Sequence, residues 1–241
     1  MNIFRTHIAK VITPSHRGGI GVGAFFLLSL LFVASCSEDE KDWDPYYDWK
    51  ARNEAWFRQV ADSARTAIAD AKAQYGSQWE DSCQWRMYKR LDQAQDFNTG
   101  RLDDSICVHI IKRGTGTYSP LWSDSVRVSH RGWTMTTMYK TTNDDGETVD
   151  SVMQKVFDQS YYGPFSELTA APSLWATSGF VTGFTTAVQY MVEGDDWYVY
   201  VPARLAYKDK KKGDIPANST LLWRIHMAAV YPCASGVPDW Q

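Results

Sequence analysis

The sequence predicts an α+β fold, and three observations carry that reading. An apolar stripe at helical spacing runs through the first third of the chain. Short β-rich segments divided by turn residues fill the remainder, and one brief turn-and-helix segment, Thr182 to Met191, stands among the strands. At 241 residues the chain can hold one ordinary domain plus an extension. Its 44% apolar and 22% charged residues are those of a globular protein, and eleven tryptophans favour aromatic-rich packing and pockets. The net charge of −3 gives no reason to expect a nucleic-acid partner.

The first 35 residues carry Arg5, Lys10 and Arg17 and no acid, followed by an apolar run from Ala24 to Val33. That run is too short to span a bilayer comfortably and has the layout of a secretory signal. It ends in Val33-Ala34-Ser35-Cys36, which resembles the lipobox of bacterial lipoproteins, where small residues precede a cysteine that receives lipid. The resemblance makes 1–35 a lipoprotein signal peptide and Cys36 the lipidation site, with enough buried methylene groups for stable membrane anchoring. Residues 36–44 then form an acidic tether. Its Ser37-Glu38-Asp39-Glu40 resembles the export signal that sends some lipoproteins to the outer face of the outer membrane. The expected location is the outer membrane, with periplasm-facing and surface-displayed orientations both open.

Residues 45–100 read as an N-terminal helical extension. Pro45 suits a first helical turn after Asp44. Trp49, Trp56, Val60, Ala64, Ala67, Ile68 and Ala71 recur at three, four and seven, which puts Trp56 and Val60 on the buried face, and Gly76 is the stop. Gln84 to Leu91 fits a strand or a second helix. Ser105 to Lys112 is a strand ended by Gly114-Thr115-Gly116, and Ser119-Pro120 leads by a turn into Ser125 to Gly132. Trp133 to Tyr139 and Val149 to Val156 flank Asn143-Asp144-Asp145-Gly146, a strong turn signal, so they read as a hairpin. Phe157-Asp158-Gln159-Ser160 and Pro164-Phe165 follow, then an irregular segment with Pro172 and Trp175.

The stretch from Phe180 to Val230 organises the rest. It holds Phe180-Val181-Thr182-Gly183-Phe184, Met191-Val192-Glu193-Gly194, Leu205-Ala206-Tyr207, Ile215-Pro216-Ala217-Asn218-Ser219-Thr220 and a final strand from Leu221. In order and punctuation these motifs resemble the C-terminal half of FKBP-type peptidyl-prolyl cis-trans isomerases, in a bacterial lipoprotein variant. Ser125 to Gly132 resembles that family's opening strand, and Phe157-Asp158-Gln159-Ser160 its "F-D-x-S". The resemblance spans about Asp104 to Val230. It implies an FKBP-like twisted antiparallel sheet wrapped on one short helix, forming a domain at 101–241.

Carried over by motif, the resemblance implies Asp158 as the carboxylate, Tyr207 as the hydroxyl, and Phe157 and Phe165 as aromatic walls. Phe180 and Val181 stand at "V-I", with the Val181 amide holding a substrate carbonyl. Phe184 is at the tryptophan floor, Ile215 is a flap contact and Trp223 is the aromatic of the last strand. His130 stands where the family has tyrosine, inside the pocket. The implied activity is that of a lipid-anchored isomerase or folding helper for exported proteins, weakened by His130 and Phe184, acting on proline-containing segments without a cofactor. The alternative is a non-catalytic binding or structural module of an outer-membrane complex.

Other chemistry finds no support. His109, His130 and His226 lack paired ligand spacing, so no metal site is read. There is no triad signature, phosphate loop or dinucleotide fingerprint. With Cys36 set aside, Cys83, Cys107 and Cys233 permit one disulfide without indicating which.

Overall fold

A computed structural model describes residues 44–237. The leader, Cys36 and the tether up to residue 43 lie outside the described residues.

Helix α1 spans Trp49–Tyr75 and stops at Gly76, whose φ of 56° favours a residue without Cβ. It begins later than Pro45. The Asp44 carboxylate accepts the Tyr46 amide at 2.8 Å, closing a turn. Asp48 is left-handed at φ 49° and gives no side-chain cap. The buried stripe is Trp49, Asn53, Phe57, Ala61, Ala64 and Ala71. Trp56 and Val60 sit beside it, half-buried, with the Trp56 ring edge-on to Tyr200 at 5.8 Å. The expected face holds at Trp49, Ala64 and Ala71, and between them it is displaced by one residue, to Phe57 and Ala61, because the stripe runs through a polar Asn53 that hydrophobic spacing passes over.

A 3₁₀ turn and the short helix α2 (Trp79–Ser82) lead to strand β1 (Trp85–Lys89), which settles the ambiguous segment as a strand. β1 pairs antiparallel with β2 (Ser105–Lys112), so the sheet takes in part of the stretch read as extension. Next in the sheet come β8 (Asp196–Val201), β9 (Leu221–Tyr231) and β3 (Ser125–Thr134). β6 (Val156–Gln159) pairs with the C-terminal half of β3, and β7 (Ser173–Ala176) with its N-terminal half. All pairings are antiparallel.

β2 is buried on both sides, which is why it reads as a nearly continuous apolar run. Ile106, Val108 and Ile110 join a core with Phe184, Val188 and Trp197. Cys107 joins a second cluster with Phe57, Ala61, Ala64 and Met87. One face of the sheet thus carries helix α3 (Thr182–Val188), the other α1. α3 lies close because Gly183 has no side chain: a Cβ there would meet Val201 Cγ1 at 2.3 Å.

The hairpin is present, but set apart from the main sheet. Among the described residues β4 (Thr137–Thr142) pairs only with β5 (Thr148–Met153), and Trp133 belongs to β3. The Asn143 carboxamide oxygen accepts the amides of Asp145 and Glu147, and Gly146 turns the chain at φ 81°. Cys83, Cys107 and Cys233 are all unpaired, and burial pushes the Cys107 thiol up to about 12. No helix among the described residues is long and apolar enough to cross a membrane.

The one-residue displacement of the α1 stripe is open to test by chemical denaturation. Phe57→Ala is expected to cost about 3 kcal/mol, the lower end for removing a buried aromatic, and Trp56→Ala clearly less.

Candidate functional site

The pairing of β3 with β9 sets Gly132 directly opposite Trp223. A Cβ on Gly132 would lie 2.7 Å from both the Phe157 ring and the Trp223 indole, so a glycine is needed for these rings to meet. They do so edge to face at 4.8 Å. The indole also packs edge-on to Phe184 at 5.0 Å and tilts against His130 at 5.7 Å. Phe180 stacks on Phe184 at 4.2 Å. Offset and edge-to-face contacts of this kind hold aromatic rings in fixed relative orientation.

Above these rings opens a cavity of about 290 Å³ lined by His130, Asp158, Trp175, Gly179, Phe180, Val181, Phe184, Tyr207 and Trp223. Seven of the ten pocket residues expected from the sequence are therefore brought together. They come from β3, β6, α3 and its approach, β9, and the loop after the turn at Ala203–Leu205.

Three are placed elsewhere. Phe165 packs on Tyr161, His226 and Arg224. Arg224 and His226 alternate with Trp223 along β9, so their side chains leave the opposite face of the sheet, and Phe165 goes with them. Phe157 supports Trp223 from the side without lining the cavity. Ile215 is buried in the core at 4% exposure. Motif order fixed where these residues fall in the chain, not which way each side chain points.

Two lining residues, Trp175 and Gly179, were not expected. Trp175 sits on β7, which at four residues is too short to show a period, and its ring tilts over Phe180 at 5.4 Å. The only available signal was a tryptophan within a turn-rich segment.

His130, the departure from the family pattern, faces the carboxylate. Its Nε2 lies 3.5 Å from Asp158 Oδ2. That interaction, first among the causes, holds the Asp158 carboxyl below its ordinary pKa, against the opposing effect of partial burial. His130 Nδ1 is buried without a partner among the described residues. The His130 amide donates to Ser160 Oγ at 2.8 Å, and Ser160 N donates back to the His130 carbonyl at 2.9 Å. These bonds fix β6 in register beside β3. Burial raises the Tyr207 hydroxyl pKa, with the Asp158 charge adding to it. The hydroxyl is therefore a neutral donor at physiological pH. It makes no hydrogen bond among the described residues.

An aromatic floor with one carboxylate and one phenol among its lining residues, set on an antiparallel sheet that carries a short helix, defines the site class: a small apolar-ring pocket with polar groups at the edge. Residues 125–228 match the family described as FKBP-type peptidyl-prolyl cis-trans isomerase. The chain is 33% identical over 126 residues to the "Outer membrane protein MIP" of Legionella longbeachae, covering 52% of this chain and 44% of that protein. It is 29% identical over 126 residues to the FKBP-type peptidyl-prolyl cis-trans isomerase FkpA of Aeromonas hydrophila, covering 52% and 38%. The chain thus matches less than half the length of either relative. Among solved structures, FkpA from Escherichia coli aligns at 21% identity and a TM-score of 0.40, covering 78% of this chain and 70% of that one.

A pH dependence follows from Asp158. Its folded pKa is depressed, so it contributes stability above the unfolded carboxylate value of about 3.9, and this is lost as pH falls through the folded value. In His130→Phe the Asp158 pKa is expected to rise toward the ordinary value, read by carboxyl NMR titration. The acid-side loss of stability should shrink with it.

Proposed function

We propose that the cavity binds proline-containing segments and speeds rotation about the bond preceding proline. The single observation that carries this is the convergence of Asp158, Phe180, Val181, Phe184, Tyr207 and Trp223 on one apolar cavity within or beside the stretch that matches the isomerase family. The Xaa-Pro bond rotates slowly because its C–N bond is partly double, with a barrier of roughly 18–20 kcal/mol. Lowering that barrier requires neither nucleophile nor metal. The planar amide is stabilised by charge separation, which an apolar floor supports poorly. The twisted amide has lost that separation and so gains relative to it.

In this reading Phe184 and Trp223 are the floor under the proline ring, and Phe180 and Trp175 form a wall. Tyr207 donates to a segment carbonyl, as does the Val181 amide, which has no acceptor among the described residues. Asp158, held by His130, gives the rim a fixed negative charge. The hydrogen bonds that matter are those that fit the twisted form better than either planar form. His130 and Phe184 replace a tyrosine and a tryptophan of the family pattern, so activity is weaker than in relatives with both. Phenylalanine leaves more room than indole, and positioning lost by about 1 Å costs on the order of a hundredfold.

The envelope is the proposed setting. Cys36, after its short apolar run, would carry lipid and anchor the chain to the outer membrane, facing the periplasm or the cell surface, with exported proteins as clients. The name of the Legionella relative agrees with an envelope location. Residues 45–100 are proposed as an extension built onto the domain at 101–241. A second reading is a non-catalytic binding module of an outer-membrane complex. His130, Phe184 and the separate hairpin β4–β5 favour it.

A prolyl-isomerisation assay on the purified chain decides between the two. The isomerase reading expects a measurable rate, reduced about tenfold or more by Tyr207→Phe or Asp158→Ala, each of which removes a polar group that acts on the twisted amide. No rate above background leaves the binding module. Anchoring is checked separately: Cys36→Ser should move the protein out of the membrane fraction, and unchanged association there would sink the lipidation proposal.

A further inference from the structure

The long helix on the far face of the sheet is joined to the cavity by a chain of buried polar contacts. The Trp49 indole N–H donates to Ser219 Oγ at 2.9 Å, and Ser219 Oγ donates to the Pro216 carbonyl at 2.7 Å. One turn along α1, Asn53 is 1% exposed, and both polar atoms of its side chain are bonded. Its Nδ2 donates to the Trp49 carbonyl, its Oδ1 accepts the Thr220 amide at 2.8 Å, and its own carbonyl accepts Thr220 Oγ1 at 3.3 Å. The helix thus grips Ser219 and Thr220 by three hydrogen bonds shielded from water, where an unmet partner costs most.

Those residues hold the loop that carries Tyr207. The Asn218 amide donates to the Lys208 carbonyl at 2.7 Å, and the Lys208 amide donates to Ala203 O at 2.8 Å. Both Lys208 and Asn218 are left-handed, at φ 59° and 62°. Asparagine tolerates that conformation, whereas lysine there stores strain that persists only when its surroundings enforce it. Lys208 follows Tyr207 directly, so whatever holds Lys208 in place sets where the phenol points.

We propose that α1 is a positioning element for the cavity: Trp49 and Asn53 hold residues 218–220, these hold Lys208 in its strained conformation, and Tyr207 is thereby fixed in the cavity wall. This rests on the reading of the cavity as a proline site only for its effect on rate. The mechanical coupling stands apart from it. Trp49 and Asn53 are positioning residues, since neither lines the cavity.

The test uses Trp49→Phe, which removes the N–H and keeps an aromatic ring, and Asn53→Leu, which removes both side-chain bonds. Ile68→Ala is the control. It loosens the same helix against the sheet at a site away from the polar contacts. Amide exchange at Asn218, whose N–H bonds to Lys208 and not to either substituted residue, reads the coupling. It is expected to speed at least about tenfold in both variants relative to the control at matched stability. Isomerisation reads the consequence: kcat is expected to fall about tenfold in both, with KM little changed, and to hold in Ile68→Ala. Variants that lose stability but keep Asn218 exchange and kcat at control values overturn the proposal. A parent chain without isomerisation overturns the reading of the cavity instead, and the coupling is then decided by Asn218 exchange alone. If Asn53→Leu does not fold, Trp49→Phe carries both readouts.

Discussion

The Trp223 indole is the contact on which the site depends, and it can sit where it does only because its cross-strand neighbour is Gly132. Any Cβ at that position would intrude to 2.7 Å on two rings at once. With it absent, Phe157, Phe184 and His130 close around the indole, and Phe180 stacks on Phe184. Four elements, β3, β6, β9 and α3, are locked in mutual orientation by one ring cluster. Close-packed interiors transmit such constraints with little slack. The cavity is the open side of this cluster, so its walls inherit the rigidity of the core below.

A second constraint acts from the other face. The sheet end formed by β1, β2 and β8 is covered by α3 on one side and by α1 on the other, with Cys107 and Val108 on adjacent positions of β2 buried in different clusters. Covering both faces removes the need for alternating polarity and lets α1 reach the turn before β9. The polar contacts of Trp49 and Asn53 there are specific in a way that the alanine-rich stripe is not. Small apolar residues allow close approach in several registers, and a buried carboxamide with matched partners allows one.

Polar rim groups on an apolar floor explain why His130 is compatible with this fold. Its ring keeps the edge-on contact with Phe184 at 6.2 Å, and its Nε2 meets the carboxylate. The charge of Asp158 is thereby kept at the rim, where its side chain stays half exposed, and out of the floor, where an unpaired ion would be costly.

By itself the sequence determined the resemblance over 125–228, the α+β class, β2, the turn at Asn143–Gly146, the helix stop at Gly76 and most of the cavity. These are encoded locally: turn residues, apolar period and motif order each depend on neighbours in the chain. Tertiary structure decided what depends on partners remote in sequence. Phe165 left the site because its side chain follows Arg224 and His226 to the opposite face of the sheet, which motif order cannot reveal. Trp175 entered because a four-residue strand gains its direction only by pairing with β3. Trp85–Lys89 became a strand because β2 offered it an edge. Asn53, polar and therefore invisible to an apolar stripe, took the centre of the buried face of α1 because Thr220, 167 residues away, supplied the partner for its carboxamide.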